Sequence, residues 1–230
     1  MKITITYPDS WAEVKLSQYL EYNKHIKPWL ESEEYAERSV QSALLHFCKV
    51  PAEYLNKLPK AVADKASIKL GELFTDINKK TLVTEFTVGS TVYGFIPSLD
   101  DMTYGEYLDL VAYTKKDIWD NIPTIMSILY RPIINRVGKL YTIEPYSGTP
   151  ETRLELFKHI LTMDVVFGAI SFFLGLQKDL LIGTLTYSME EMKKIKDPKV
   201  LAALQDLTKN GQDIAQLQSY LITTLQDSTP

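Results

Sequence analysis

The chain has 230 residues, of which 45% are hydrophobic and 23% charged, so it can bury a core as one large domain or two small ones. Its formal net charge of −4 argues against a broad basic surface for nucleic acid or for an anionic membrane. The single cysteine, Cys48, excludes an internal disulfide. The N-terminal segment MKITITYPDSW has no apolar run typical of secretory signals, so we expect assembly in a cytoplasm.

The first 80 residues predict one short strand and a series of helices. Lys2 to Thr6 alternates polar and apolar side chains and then meets Pro8, a pattern typical of a strand that ends in a turn. Apolar residues at three- and four-residue steps follow, which indicates helices. We expect these helices from Leu16 to Trp29, from a Ser32 N-cap to Cys48, from Val50-Pro51 to Leu58, and from Lys60 to Thr75.

The next 80 residues carry the clearest β signal. Leu82 to Phe86 and Thr91 to Ile96 are separated by a turn that contains Gly89, which predicts a β-hairpin. We expect this hairpin to pack against the N-terminal strand, because an isolated hairpin is marginally stable. The other predicted elements are a helix from Tyr104 to Thr114 capped by Thr103, a helix from Asp117 to Tyr130, a short strand from Leu140 to Ile143, and a helix that starts at Thr149-Pro150.

The most apolar stretch runs from Asp164 to Gly183 and has no charge between Val165 and Gln177. It predicts a helix with apolar residues on every side, including Phe172, which is typical of a helix buried all round. It is shorter than the roughly 18 apolar residues that a membrane span needs. We therefore expect a mainly α fold of the α+β class, arranged around this central buried helix, with a small antiparallel sheet.

Three further helical patterns follow the central stretch. The last, from about Gln212 to Leu225, has one apolar stripe that includes Leu217 and Leu221. This stripe must cover either the chain's own core or a partner, and we expect the helix to contribute to contacts with another chain. The predicted organisation is an α+β body over residues 1–183 and a helical extension over residues 184–230. Strand, proline, loop and helix occur twice in the body, so residues 1–80 and 81–183 are either degenerate halves of a duplication or a coincidence.

Sequence motifs for catalysis are absent. The chain contains no glycine-rich phosphate loop, no nucleophile elbow and no His-Glu-x-x-His motif. His46 and Cys48 point in different directions on a helix, and a zinc site needs about four convergent ligands. We therefore expect no catalytic residue, no cofactor and no metal. The alternative is a small enzyme with a site around His46, Cys48 and His159.

Two segments are candidates for partner recognition. They are Tyr130-Arg131-Pro132 and the loop from Glu144 to Thr149, which contains Tyr146. An exposed aromatic or arginine side chain in a fixed loop suits an interface anchor. The alternative is that both segments are rigid turns. The predicted partner-binding residues are Tyr130, Arg131, Pro132, Tyr146, Leu217 and Leu221.

Three short motifs resemble small proteins encoded among the tail and neck genes of bacteriophages, especially phages of Bacteroides-type hosts. The first motif, W-x-E-[ILV]-x-L-x-Q-[YF], is matched from Trp11 to Tyr19. The second, M-T-x-G-E-Y-[LI]-D-L, is matched from Met102 to Leu110, and the third, L-Y-R-P, from Leu129 to Pro132. The similarity covers roughly residues 1 to 180.

The resemblance implies a non-enzymatic structural or assembly protein of the phage tail or head–tail neck. Its partners would be other virion or assembly proteins, a homo-oligomeric ring is one form to expect, and its location would be the virion. The alternative within this class is a tail-assembly chaperone that is absent from the mature virion. The family has no catalytic residues to carry over, and we expect no small-molecule substrate, no membrane and no nucleic acid as a partner.

Overall fold

The computed structural model describes residues 5–75, 81–98, 102–114 and 118–173. The backbone divides into two compact units, Met1–Ala169 and Ile170–Pro230. Leu217, Leu221 and the rest of the predicted C-terminal extension lie outside the described residues. The predicted domain boundaries and the contacts of the last helix therefore stay predictions.

The described elements follow the predicted order closely. The helices are α1 (Leu16–Ile26), α2 (Tyr35–His46), α3 (Ala52–Leu55), α4 (Lys60–Thr75), α5 (Tyr104–Thr114), α6 (Ile118–Leu129) and α7 (Glu151–Ile160), with 3₁₀ turns at Trp11–Glu13 and Lys27–Trp29. The strands are β1 (Glu85–Val88), β2 (Thr91–Phe95), β3 (Tyr130–Val137) and β4 (Leu140–Ile143). The fold is mainly helical with a small antiparallel sheet, which confirms the predicted fold class.

The sheet has the strand order β1-β2-β3-β4, and every neighbouring pair is antiparallel. The predicted hairpin is confirmed as β1 and β2, and Gly89 in its turn has a φ of +59°, the left-handed conformation that glycine adopts at little cost. The hairpin's partner is β3, which pairs with β2 from Tyr93↔Pro132 to Phe95↔Tyr130. The predicted N-terminal partner is not observed, because Ile5 and Thr6 are not in a strand and residues 2–4 lie outside the described residues.

Strand β3 is absent from the sequence prediction. The helix before it ends at Leu129, one residue before the predicted end at Tyr130, and the next eight residues are extended rather than a turn. Pro132 disfavours a central strand, and the register shifts between Ile133 and Asn135, so the side chains of β3 do not alternate regularly. These two features hide the strand from a search for period-two patterns.

The helical part of the first unit packs around Trp11, which is fully buried. The indole N–H of Trp11 donates a hydrogen bond to the Leu73 carbonyl oxygen at 2.8 Å, so its polar edge is satisfied. Four rings meet it edge-on with centroids between 5.0 and 5.9 Å away: Tyr19, Phe47, Phe74 and Phe167. Trp11 therefore joins α1, the end of α2, α4 and the helical residues 163–169 into one core.

The predicted central helix is present over the described residues 163–173. Gly168 permits a close approach, but its neighbour is the backbone of Thr81 rather than another helix: a Cβ at Gly168 would lie 2.5 Å from the Thr81 oxygen. Phe172 is 42% exposed, so the expectation of a helix buried on every side is wrong.

A second aromatic group packs one face of the sheet against α7. Phe86, Tyr93 and Tyr130 lie on this face, and Phe157 of α7 meets Phe86 and Tyr93 edge-on at 5.7 and 5.2 Å. Phe157 and Tyr130 are fully buried. The sheet is therefore fixed to the helical core on this face.

Candidate protein-interaction site

Two of the predicted interface anchors are internal. Tyr130 is fully buried and its hydroxyl donates a hydrogen bond to the Val83 carbonyl oxygen at 2.6 Å. Arg131 is 5% exposed. Both begin strand β3, which turns their side chains into the protein, so the expectation that they are exposed on a loop is wrong. Pro132 and Tyr146 are half-buried, and a partner contact at either stays a prediction.

Arg131 forms a buried ion pair with Glu106 of α5. Glu106 also accepts a hydrogen bond from the Thr103 backbone N–H at 2.6 Å, while the Thr103 hydroxyl accepts one from the Glu106 N–H at 3.3 Å. This is the reciprocal bonding of a capping box. Glu106 therefore caps the start of α5 and also pairs with the charge of Arg131, so its first role is structural.

The loop from Glu144 to Thr149 is fixed by the same group of side chains. The Tyr146 ring faces the Arg131 guanidinium at 5.7 Å, and its hydroxyl donates a hydrogen bond to Asp109. Burial, followed by the bond to Asp109, raises the pKa of Tyr146. Glu144 pairs with Arg153 of α7. The loop is thus held at its first and third residues, Glu144 and Tyr146, which favours the rigid-turn alternative for this part of the loop.

The largest exposed apolar side chains of the sheet all belong to the β3–β4 hairpin: two flank its turn, and Ile134 lies farther along β3 at the register shift. Ile134 is 62% exposed, Val137 71% and Leu140 78%. Val137 and Leu140 are directly opposite each other in the register, so their side chains are neighbours. We refer to Ile134, Val137 and Leu140 as the hairpin tip. Single exposed apolar residues are ordinary, but three on one short hairpin indicate a contact surface.

The hairpin that carries this tip is fastened to the rest of the sheet. The Tyr141 hydroxyl lies 2.8 Å from the Phe95 carbonyl oxygen and 3.2 Å from that of Thr84. Arg136 forms a bidentate ion pair with Glu85, and its guanidinium carbon lies 5.5 Å from the centroid of the Tyr141 ring. The tip is therefore presented in one orientation, which lowers the entropy that a partner must remove on binding.

Gly94 allows the Tyr141 side chain to pack across β2. It lies under the Tyr141 ring, and a Cβ at this position would come within 2.6 Å of Tyr141 Cε2 and 2.9 Å of Ile133 Cγ1. Only a residue without a side chain allows the ring to cross β2 at this distance.

Strand β4 also offers backbone groups. Among the described strands it pairs only with β3, and its sequence, Leu-Tyr-Thr-Ile, contains none of the charges that commonly protect a sheet edge. An edge of this kind can accept an extended segment of another protein through backbone hydrogen bonds. The hairpin tip and the β4 edge are adjacent and form one candidate site.

A smaller apolar face lies on α5. Tyr104 is 75% exposed, Tyr107 48% and Leu108 46%, and the spacing of these residues places them on one side of the helix. Tyrosine is frequent at interfaces because it combines a large apolar ring with a polar group. This face is a second candidate contact surface.

The two histidines of the alternative enzyme site have different partners. The His46 ring nitrogen Nε2 lies 3.2 Å from Nδ1 of His25, whereas His159 lies 4.0 Å from Glu155 on α7. Burial raises the pKa of the half-buried Cys48 thiol to about 11, which disfavours the reactive thiolate at neutral pH. Within the described ranges, no group of three or more His, Cys, Asp or Glu side chains is arranged to bind a metal ion.

Comparisons with known proteins give no family for this chain. It matches no protein-family model, no curated protein and no solved structure. In the part of the chain that the structure describes, no helix is both long enough and apolar enough to cross a membrane.

Proposed function

We propose that the chain is a non-enzymatic structural or assembly protein of a bacteriophage tail or neck, and that it acts by binding other virion or assembly proteins. The observation that carries the binding role is the hairpin tip, where three large apolar side chains are exposed on a fastened hairpin. The phage setting rests on the resemblance of three short motifs described above.

The mechanism is surface complementarity. Burying one Val, Leu or Ile side chain contributes about 1.5–3 kcal/mol, so a partner that covers the tip would gain several kcal/mol before entropy costs. Backbone pairing along β4 would add direction to this contact, because an added strand has a defined register. The partner is therefore expected to present an extended or apolar segment to this edge.

The resembling motifs support a structural reading of this function. Trp11, Leu16 and Tyr19 of the first motif are buried in the helical core. Glu106 of the second motif and Arg131 of the third form the buried ion pair. These buried motif residues thus maintain the fold, while Ile134, Val137 and Leu140 of the hairpin tip lie outside the motifs.

Quantitative mass spectrometry of purified phage particles tests the proposed role. A structural protein is expected at a fixed ratio to the other virion proteins. Absence from particles that nevertheless need the gene for assembly would instead support the chaperone alternative. Particles that assemble in normal numbers without the gene would contradict both.

The enzyme alternative has its own test. The double variant Cys48→Ala/His159→Ala removes the only thiol of the chain and one of its three histidines. We expect this variant to support assembly as well as the natural protein does. A folded double variant that fails to support assembly would favour an enzymatic role.

A further inference from the structure

The two histidines at the ends of α1 and α2 face each other. Nδ1 of His25 lies 3.2 Å from Nε2 of His46, and the ring centroids are 5.5 Å apart. The residues are 21 positions apart in the sequence, and His25 has no histidine or cysteine near it along the chain. Their pairing is therefore a product of the fold.

The separation of these nitrogens fits two ligands of one metal ion. Zinc binds imidazole nitrogen at about 2.0–2.1 Å, so two ligands at a tetrahedral angle lie roughly 3.3–3.4 Å apart. The observed 3.2 Å is close to that spacing. Without a metal ion, the same separation suits a hydrogen bond between the two rings.

The two helices are held together by buried contacts. The Tyr22 hydroxyl is 2.7 Å from the Ser39 hydroxyl, and the Ser42 hydroxyl donates a hydrogen bond to the Tyr22 carbonyl oxygen at 3.3 Å. The Gln18 side-chain amide donates one to the His46 carbonyl oxygen at 2.7 Å. The histidine pair is thus preorganised, and a metal ion would not have to pull the helices into place.

The two helix ends and one nearby carboxylate favour a cation at this position. His25 lies in the last turn of α1 and His46 ends α2, so both are at the negative ends of helix dipoles. Glu21 lies one turn before His25 on α1, and its charge also acts on His46. Arg38, which lines the same cleft as His25, is already paired with Glu34 and stacked over Trp29.

The ring nitrogens are accessible from solvent, because His25 is exposed and His46 is half-buried. We propose that His25 Nδ1 and His46 Nε2 form a two-ligand site for a divalent late transition metal ion such as Zn²⁺ or Cu²⁺. Both rings stay neutral, with their protons on the other ring nitrogens, and water or a partner's side chain fills the open coordination positions. This inference goes beyond the proposed function and does not depend on it.

Isothermal titration of the full chain with ZnCl₂ near pH 7.5 tests the site. We expect one Zn²⁺ per chain to bind. His25→Ala and His46→Ala should each weaken Zn²⁺ binding by about tenfold or more. Even the loss of a residue that only hydrogen-bonds to a metal ligand lowers metal affinity by about that factor. His159→Ala is the matched control, because His159 is an exposed histidine at the end of α7, and this variant should bind as the natural chain does.

Two results would overturn the proposal. One is the lack of saturable Zn²⁺ binding by the natural chain, and the other is binding that survives His25→Ala unchanged. His25 is exposed, so its substitution leaves the fold intact and decides the question even if His46→Ala does not fold.

Discussion

Gly94 shows how one residue can determine the position of a whole hairpin. Its missing side chain lets the Tyr141 ring cross β2 and reach the Phe95 carbonyl oxygen. The sequence contains no sign of this requirement, because the contact joins residues 47 positions apart. Glycine in a strand is usually unfavourable, so its presence at a buried position of β2 indicates close approach of another group.

We predict that Gly94→Ala destabilises the protein by about 1–3 kcal/mol, because the new Cβ overlaps Tyr141 and Ile133 and forces them to move. Urea unfolding measures the change. Gly71→Ala is the matched control: nothing lies within 4 Å of its Cβ, and it is inside α4, so it should stabilise by about 1 kcal/mol. Equal effects of the two substitutions would show that the close contact at Gly94 is wrong.

Arg131 and Glu106 give a second prediction for single residues. Arg131→Met leaves the buried Glu106 carboxylate without its cation, which should cost about 3–5 kcal/mol of the free energy of unfolding. The double variant Arg131→Met/Glu106→Gln removes both charges and should recover much of this loss. A double variant that is no more stable than the single one would mean that the ion pair is not the source of the effect.

At the scale of elements, the capping box of α5 could largely be predicted from the sequence. Thr103 was predicted as the N-cap, and Glu106 completes the Thr-x-x-Glu pattern. We predict that Thr103→Ala destabilises the protein by about 1 kcal/mol, measured as a lower urea midpoint. Ser67→Ala, at an exposed position inside α4, removes a hydroxyl without removing a cap and should be neutral or slightly stabilising. If both variants lower the midpoint equally, the cap contributes nothing specific.

Only one of the two strands of the β3–β4 hairpin could be predicted from the sequence. Leu140 to Ile143 was predicted as a strand, and the structure confirms those bounds. Its partner was missed because of Pro132 and the irregular register at Ile133 to Asn135. The sequence does contain a hairpin signal at Val137-Gly138-Lys139-Leu140, where two residues, one of them glycine, separate two apolar residues. In the structure Gly138 has a φ of +62°. A two-residue turn with glycine between apolar residues is a recognised hairpin pattern.

At the scale of the whole molecule, local patterns predicted most helices and distant contacts decided the rest. Apolar spacing located α1, α4, α5 and α6 within a few residues. No local rule joins Lys15 to Thr162, yet these residues form a β-bridge that brings the start of α1 beside the residues after α7. The same reason explains the candidate sites. Tyr130 and Arg131 looked exposed because their strand was not recognised, and the hairpin tip was overlooked for the same cause.

The hairpin tip is proposed to bind another protein during phage assembly. The most direct test counts infectious particles from phage that carry Ile134→Thr/Val137→Thr/Leu140→Thr, substitutions that keep strand propensity and remove apolar surface. The control is Leu30→Thr/Ile68→Thr. It changes two apolar residues elsewhere on the protein, of which Leu30 is 49% and Ile68 64% exposed. Circular dichroism confirms that each variant is folded. We predict that the triple variant melts near the natural temperature but yields few infectious particles, while the control yields normal numbers. A folded triple variant that assembles as well as the control would contradict the claim.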